Sequence, residues 1–469
     1  MGNKYSQIST DLYPSHYFIL IFRQPDIIQA INAESDLIDN LTQVFERFWP
    51  FGIKTEKKIR FGIELKLNNN PFSNDPKPLE KLLQTNLLIC EILSNVLSCG
   101  YGIVSSGYII KSFERSTLIF RKLNVELKVH SSSICSIILE GWNRIIVNNI
   151  DEMTSSFLLK EITSLAMINI LSLQSISNYL TMEMDGQPWD SHKSNSVKSP
   201  LVFLNLICLL MQCGYKVMCK AHVTGYNDTV FFERDSGTLV NENDVFVLSL
   251  NQLDQLRTYC ATSDAINAIS RVIKLQWEKG IHNDSIQDKI WICYLNGSPW
   301  SVANWDKDSS FSSKLLMMEI FKELSKNNWE ITLSIKLYRS QYDKSLFVFQ
   351  RNSLNNDNNH FFSIGPHDID RLCITGSPKG LLSQLKDRFS EHWVKGIKED
   401  SYENGCNEYI MEGKPWHLTE ESSSVNLDAI GFFCWALEHI SDFGWSLVET
   451  ADICSTSAYS PTDYIFSKV

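Results

Sequence analysis

Gly186-Gln187-Pro188-Trp189, Gly297-Ser298-Pro299-Trp300 and Gly413-Lys414-Pro415-Trp416 are one four-residue motif written three times, and Asn69-Asn70-Pro71-Phe72 is a degenerate fourth copy. The prolines at 71, 188, 299 and 415 stand 117, 111 and 116 residues apart. Self-similarity at a fixed period is the signature of a repeat architecture. Three further markers keep the same order. A helix-stop and aromatic pair follows each motif, as Gly100-Tyr101, Gly214-Tyr215, Asn328-Trp329 and Gly444-Trp445. Trp-x-x-Gly-Ile opens at Trp49, Trp277 and Trp393, and the second unit lacks it. Each unit closes on an apolar run: Leu118-Ile119-Phe120, Val230-Phe231-Phe232, Phe347-Val348-Phe349 and Tyr464-Ile465-Phe466. Four independent markers in one order define four repeats.

The units so drawn run over residues 16–122, 123–235, 236–352 and 353–469, after a polar tail at 1–15. A unit of about 115 residues is long enough to enclose a core of its own, unlike the short units of a solenoid. The fourth unit reads most clearly. Phe361 to Ile364 predicts a short strand that Gly365-Pro366 breaks, and Arg371 to Thr375 a second. Pro378 to Trp393 carries Leu381, Leu385, Phe389 and Trp393 at helical spacing, with Gly396 beyond its end. Asn407 to Met411 predicts a strand, Leu427 to Ile440 a more apolar helix, and Trp445 to Glu449 and Asp463 to Phe466 a last strand pair. The consensus is ββαβαββ or βαβαββ. That order predicts an α+β fold in four tandem copies, each a mostly antiparallel sheet with two helices packed on it.

What recurs between units is glycine, proline, aromatic and aliphatic. Glycine admits a positive φ, proline fixes the next bend, and a large aromatic anchors the turn in a core. Pro71, Gly186, Pro188, Trp189, Gly297, Pro299, Trp300, Gly413, Pro415 and Trp416, with Tyr101, Tyr215, Trp329 and Trp445, are therefore expected to be architectural anchors. Polar residues do not recur. The 10 histidines share no slot, and His-Glu-x-x-His, phosphate-loop, dinucleotide-loop and nucleophile-elbow patterns are missing. His360 and His367 flank the predicted strand and are expected in surface loops. Asp151-Glu152 and Asp306-Lys307-Asp308 read as solvated acidic loops, and Gly376 to Gly380 as an ordinary helix start. No catalytic, metal-ligating or cofactor-binding residue is assigned, and no cofactor is implied.

Composition sets outer limits. The chain has 469 residues, 43% hydrophobic and 21% charged, which is globular. Its 43 basic and 54 acidic side chains leave a net charge of −11, which disfavours a nucleic-acid partner. No apolar run is long enough to span a membrane: Leu201 to Met211, already holding Asn205, predicts a buried helix. The 12 cysteines contain no Cys-x-x-Cys, and no secretory signal precedes them, so free thiols in a reducing cytoplasmic compartment are expected.

One address is written at the N-terminus. Met1-Gly2-Asn3-Lys4-Tyr5-Ser6 fits the N-myristoylation pattern, with Gly2 as acceptor. A single acyl chain gives marginal, reversible attachment. A second membrane signal is missing, because Lys4 is the only Lys or Arg before Arg23 and the first cysteine is Cys90. The reading is thus a non-enzymatic repeat scaffold for an unidentified protein partner, peripheral on a cytoplasmic membrane face through Gly2. The rival is an enzyme or small-ligand protein whose site lies between repeats.

Overall fold

The computed structural model describes residues 17–73, 78–110, 114–123, 133–164, 170–190, 193–222, 228–235, 244–300, 307–338, 344–352, 359–403, 405–417, 423–454 and 462–468. The Gly2 signal lies outside them. The first repeat comprises β1 (Tyr17–Arg23), β2 (Ile27–Ile31), α1 (Ser35–Phe48), β3 (Ile53–Ile59), β4 (Gly62–Leu67), α2 (Leu79–Ser98), β5 (Tyr101–Gly107) and β6 (Glu114–Lys122). The second repeats that order with β7 (Ile134–Glu140), β8 (Arg144–Asn148), α3 (Glu152–Ser164), β9 (Ile170–Ile176), β10 (Tyr179–Met184), α4 (Ser199–Gln212), β11 (Tyr215–Ala221) and β12 (Thr229–Arg234). The third has β13 (Val245–Asn251), β14 (Gln255–Tyr259), α5 (Ser263–Gln276), β15 (Ile281–Gln287), β16 (Ile290–Leu295), α6 (Lys307–Lys326), β17 (Trp329–Ile335) and β18 (Leu346–Arg351). The fourth has β19 (Phe361–His367), β20 (Arg371–Thr375), α7 (Lys379–His392), β21 (Ile397–Glu403), β22 (Cys406–Met411), α8 (Ser423–Asp442), β23 (Trp445–Ala451) and β24 (Asp463–Lys468).

Each repeat is one six-stranded antiparallel sheet, in the order β3-β4-β2-β1-β6-β5 and its equivalents, with two helices. The α+β tandem repeat is therefore the fold. The unit is ββαββαββ, one strand richer than the longer of the two sequence patterns. The added strand is β3, β9, β15 or β21, always at one edge of its sheet. β3 reads IKTEKKI and β15 IHNDSIQ, and their middles are exposed on both faces. With neither face buried, no period-two alternation marks them. β19 is also longer than expected and runs through Gly365-Pro366 to His367. Its pairing with β24 stops at Ile364, so Pro366 sits where no ladder hydrogen bond is asked of its missing N–H on that side.

The marker residues show why they recur. Gly186, Gly297 and Gly413 take φ of 75°, 81° and 88°, and Asn69, in the degenerate copy, takes 64°. Asparagine tolerates this region better than other side chains, which explains the exchange. The aromatic that follows is fully buried, and its backbone N–H donates to the turn between the first two strands. The bonds are Phe72 to Pro25, Trp189 to Trp142, Trp300 to Leu253 and Trp416 to Ile369, at 2.8, 3.4, 3.0 and 3.0 Å. The indoles of Trp49, Trp277 and Trp393 each donate to the carbonyl of Asn68, Asn296 or Glu412 at 3.0 Å. Phe18, Phe246 and Phe362 stack on Phe120, Phe349 and Phe466, with Tyr101, Trp329 and Trp445 edge-on against them.

The four sheets close into a ring. The second helix of each repeat packs against the next repeat's first strand: α2 on β7, α4 on β13, α6 on β19 and α8 back on β1. The inner edge strands meet in the same cyclic order, β5 with β11, β11 with β17, β17 with β23 and β23 with β5. Each main apolar core consequently joins one repeat's sheet and helices to the next repeat's sheet. Phe18, Leu20 and the α1–α2 side chains share a core with Ile134 and Phe231, and Phe362 and the α8 side chains share one with Tyr17, Ile19 and Ile21. Units long enough to enclose their own cores share them instead.

Candidate functional site

Polar groups gather where the ring brings repeats together. The first gathering lies on the inner strands. β5, β11, β17 and β23 carry a bulge at the same place, which aims Ser105, Cys219, Leu333 and Glu449 alike. Glu449 is buried; its Oε1 accepts from Ser105 Oγ at 3.1 Å and the Thr450 amide at 2.7 Å, and its Oε2 from the Ser334 amide at 2.9 Å. Lys220 Nζ lies 3.8 Å from Glu449 and donates to the Thr450 carbonyl at 2.8 Å. Thr450 Oγ1 in turn donates to the Ser106 carbonyl, and a Cβ at Gly107 would press on Thr450. All four repeats contribute to this network. Burial holds the Glu449 carboxyl above its ordinary value in spite of Lys220 and the three donors.

The second gathering is the junction of the third and fourth repeats. Lys314 of α6 pairs with Asp463 at 2.6 Å, both buried, and Gly365 leaves room for that carboxylate. Beside it, His367, Cys373 and Glu408 sit on one face of β19, β20 and β22, all buried, with their ligand atoms within 4.8 Å of one another. Arg371 binds the second oxygen of Glu408. His367 thus ends a strand inside the molecule, which corrects its expected place in a surface loop; His360 is exposed just before the strand. No local spacing announces this donor set, because its members come from three strands.

The third is a cleft of about 510 Å³ where the fourth repeat meets the first. Arg60 and Phe61 line it from the β3–β4 turn, with His392, Trp393, Lys395 and Asp428 from the fourth repeat. Arg60 and Asp428 form an ion pair across the junction, yet burial still holds Asp428 above the usual carboxylate value. Phe61 lies on Gly431 of α8, where a Cβ would come within 2.9 Å of its ring. The ring of His392 stacks on Trp435 at 3.8 Å, and burial lowers its basicity.

The anchors named from sequence, Trp189, Trp300, Trp416, Tyr101, Tyr215, Trp329 and Trp445, are buried in the shared cores. None of them lines the cleft. Asp151 stands in the loop before α3 with its side chain partly exposed, and there its carboxylate accepts from the Thr154 amide at 2.7 Å as the cap of α3 and pairs with Arg234. Asp306 lies outside the described residues. The cysteines of the described residues are all free thiols, and no described helix is long and apolar enough to cross a membrane.

No curated protein and no solved structure is similar to this chain. A single domain-family model matches it four times, over residues 16–121, 133–239, 244–350 and 360–467. With most of its length so matched, the chain belongs to that domain family, as four tandem copies of its domain.

Proposed function

We propose that the ring is an interaction scaffold, held reversibly on the cytoplasmic face of a membrane by N-myristoylation of Gly2. The observation that carries the scaffold reading is the contrast between framework and rim. The turns, indole hydrogen bonds and aromatic stacks repeat between units, while the outer strands they hold out differ in chemistry. β3 presents Lys54, Glu56, Lys57 and Lys58, and β9 reads ILSLQSI with no charge at all. Outer strands with unpaired backbone groups on one side are surfaces that another chain can extend. One acyl chain binds a membrane marginally, so a protein partner completes the attachment. The small-ligand reading rests on the cleft beside Arg60 and Asp428, and it is kept as the alternative.

The test has two arms. Intact mass and vesicle flotation of the protein made beside an N-myristoyltransferase should show an acylated N-terminus and membrane binding, both lost in Gly2→Ala. An unmodified N-terminus overturns the anchoring. Proximity labelling in cells should give a neighbour lost on Lys57→Glu/Lys58→Glu; an identical set from wild type and variant counts against the scaffold. A metabolite whose binding is lost on Asp428→Asn would favour the alternative.

A further inference from the structure

The slot that holds His367, Cys373 and Glu408 occurs four times in the ring. In the first repeat its positions are Arg23, Gln29 and Glu64, with Gln29 donating to Glu64 at 2.7 Å. In the second they are Glu140, Ile146 and Thr181, and in the third Asn251, Arg257 and Ile292. The same sheet is therefore built three times without a histidine or a thiol there. The fourth repeat adds a further thiol, Cys406, where the others have Gly62, Tyr179 and Ile290. Cys406 is buried and packs in one cluster with Cys373 and Phe311. Imidazole, two thiols and a carboxylate, brought together in one buried place by three strands, are not what packing alone asks for.

We propose that His367, Cys373, Cys406 and Glu408 form a structural zinc site at the junction of the third and fourth repeats. Zinc bonds of about 2.0–2.1 Å to nitrogen and oxygen and 2.3 Å to sulfur set tetrahedral edges of about 3.3–3.8 Å. His367 Nδ1 stands 3.9 Å from Glu408 Oε1, and Cys373 Sγ 3.9 Å from the same oxygen. Those two edges close on a contraction of about half an ångström. The three donors stand within 4.8 Å of one another, and Cys406, outside that group, swings toward them to complete the tetrahedron. The charges also close. Two thiolates and a carboxylate carry three negative charges, balanced by the dication and by Arg371, which holds the outer oxygen of Glu408. That guanidinium takes the place of the outer-shell partner that orients a ligating carboxylate. Lys314, close enough to act on both thiols, is neutralised by Asp463 at 2.6 Å. Binding releases one proton from each thiol, so affinity falls in acid.

The full chain, purified without chelator, should hold one zinc by plasma mass spectrometry. Cobalt(II) in place of zinc should give thiolate-to-metal charge-transfer absorption and the d–d bands of tetrahedral coordination. Cys373→Ser and His367→Asn should each weaken zinc binding by about tenfold or more, read by chelator competition, while Cys90→Ala should not. A wild-type protein that takes up no stoichiometric zinc, or binds cobalt without a thiolate band, overturns the site. So does full zinc affinity in a folded Cys373→Ser/Cys406→Ser variant. The cobalt spectrum needs no variant, so a misfolded substitution leaves the proposal testable.

Discussion

Lys220 and Glu449 show how far single residues depend on the closed ring, since they come from the second and fourth repeats and meet only across its middle. Burial raises the Glu449 carboxyl, so this group contributes most below the ordinary carboxylate pKa and loses that contribution as pH rises through its folded value. Lys220→Met removes the opposing charge and pushes the carboxyl higher still. The expected cost is about 3–5 kcal/mol at neutral pH, the range for a buried charge left without its partner. It should shrink at acid pH as Glu449 takes up a proton. Urea unfolding of wild type and variant at pH 5 and pH 8 checks this, and an equal loss at both would exclude the charge as its cause. The anchors were legible because they recur: Trp49, Trp277 and Trp393 make the same indole bond. The axial group was not legible, because Ser105, Cys219, Leu333 and Glu449 occupy one slot with four chemistries. Its function as a unit exists only after closure.

At the scale of elements, sequence spoke where at least one face is buried and fell silent where neither is. α1 and α5 bury Leu37, Leu41 and Phe45, or Ile269 and Ile273, along one stripe, and their periodicity predicts them. The outer strands bury neither face, and each unit lost one strand to that silence. The joint of α7 and α8 is legible as helices but not as a pH-sensitive contact. His392 at the end of α7 stacks on Trp435 of α8 and stands edge-on to His439. Burial first, and the nearby His439 with it, hold His392 below its ordinary value, although the Arg388 carbonyl favours its proton. A lowered histidine means that the unfolded chain binds the proton better, so stability is lost as pH falls through the ordinary histidine range toward the folded pKa. His392→Phe keeps the stacking and cannot take the proton. Its melting temperature should therefore fall less than that of wild type between pH 7 and pH 5, measured by circular dichroism. An unchanged difference between the two pH values would show that His392 plays no part in it.

Four copies in tandem can form a line or a ring, and the sequence, which shows only order, does not distinguish them. Length suggested separate cores; packing joined them. The difference lies in α8, whose apolar face is covered by β1, the first strand among the described residues, with Phe61 seated on Gly431. Glycine inside a helix costs about 1 kcal/mol relative to alanine, and here it makes room for a side chain from the opposite end of the sequence. A linear array has end units that open alone, because each touches one neighbour. In the ring every unit touches two, so opening any one repeat breaks two of the four shared cores. The chain should then unfold in one transition, with calorimetric and van't Hoff enthalpies in agreement despite its size. Gly431→Phe, which fills the seat of Phe61, should break the closure while leaving the other three junctions intact. Native-state hydrogen exchange should then show β1 and α8 opening well before the cores that join the second and third repeats. Equal protection of all four junctions in that variant, or several calorimetric transitions in the wild type, would mean that the repeats stand as a row and that the contact of α8 with β1 contributes nothing to holding them.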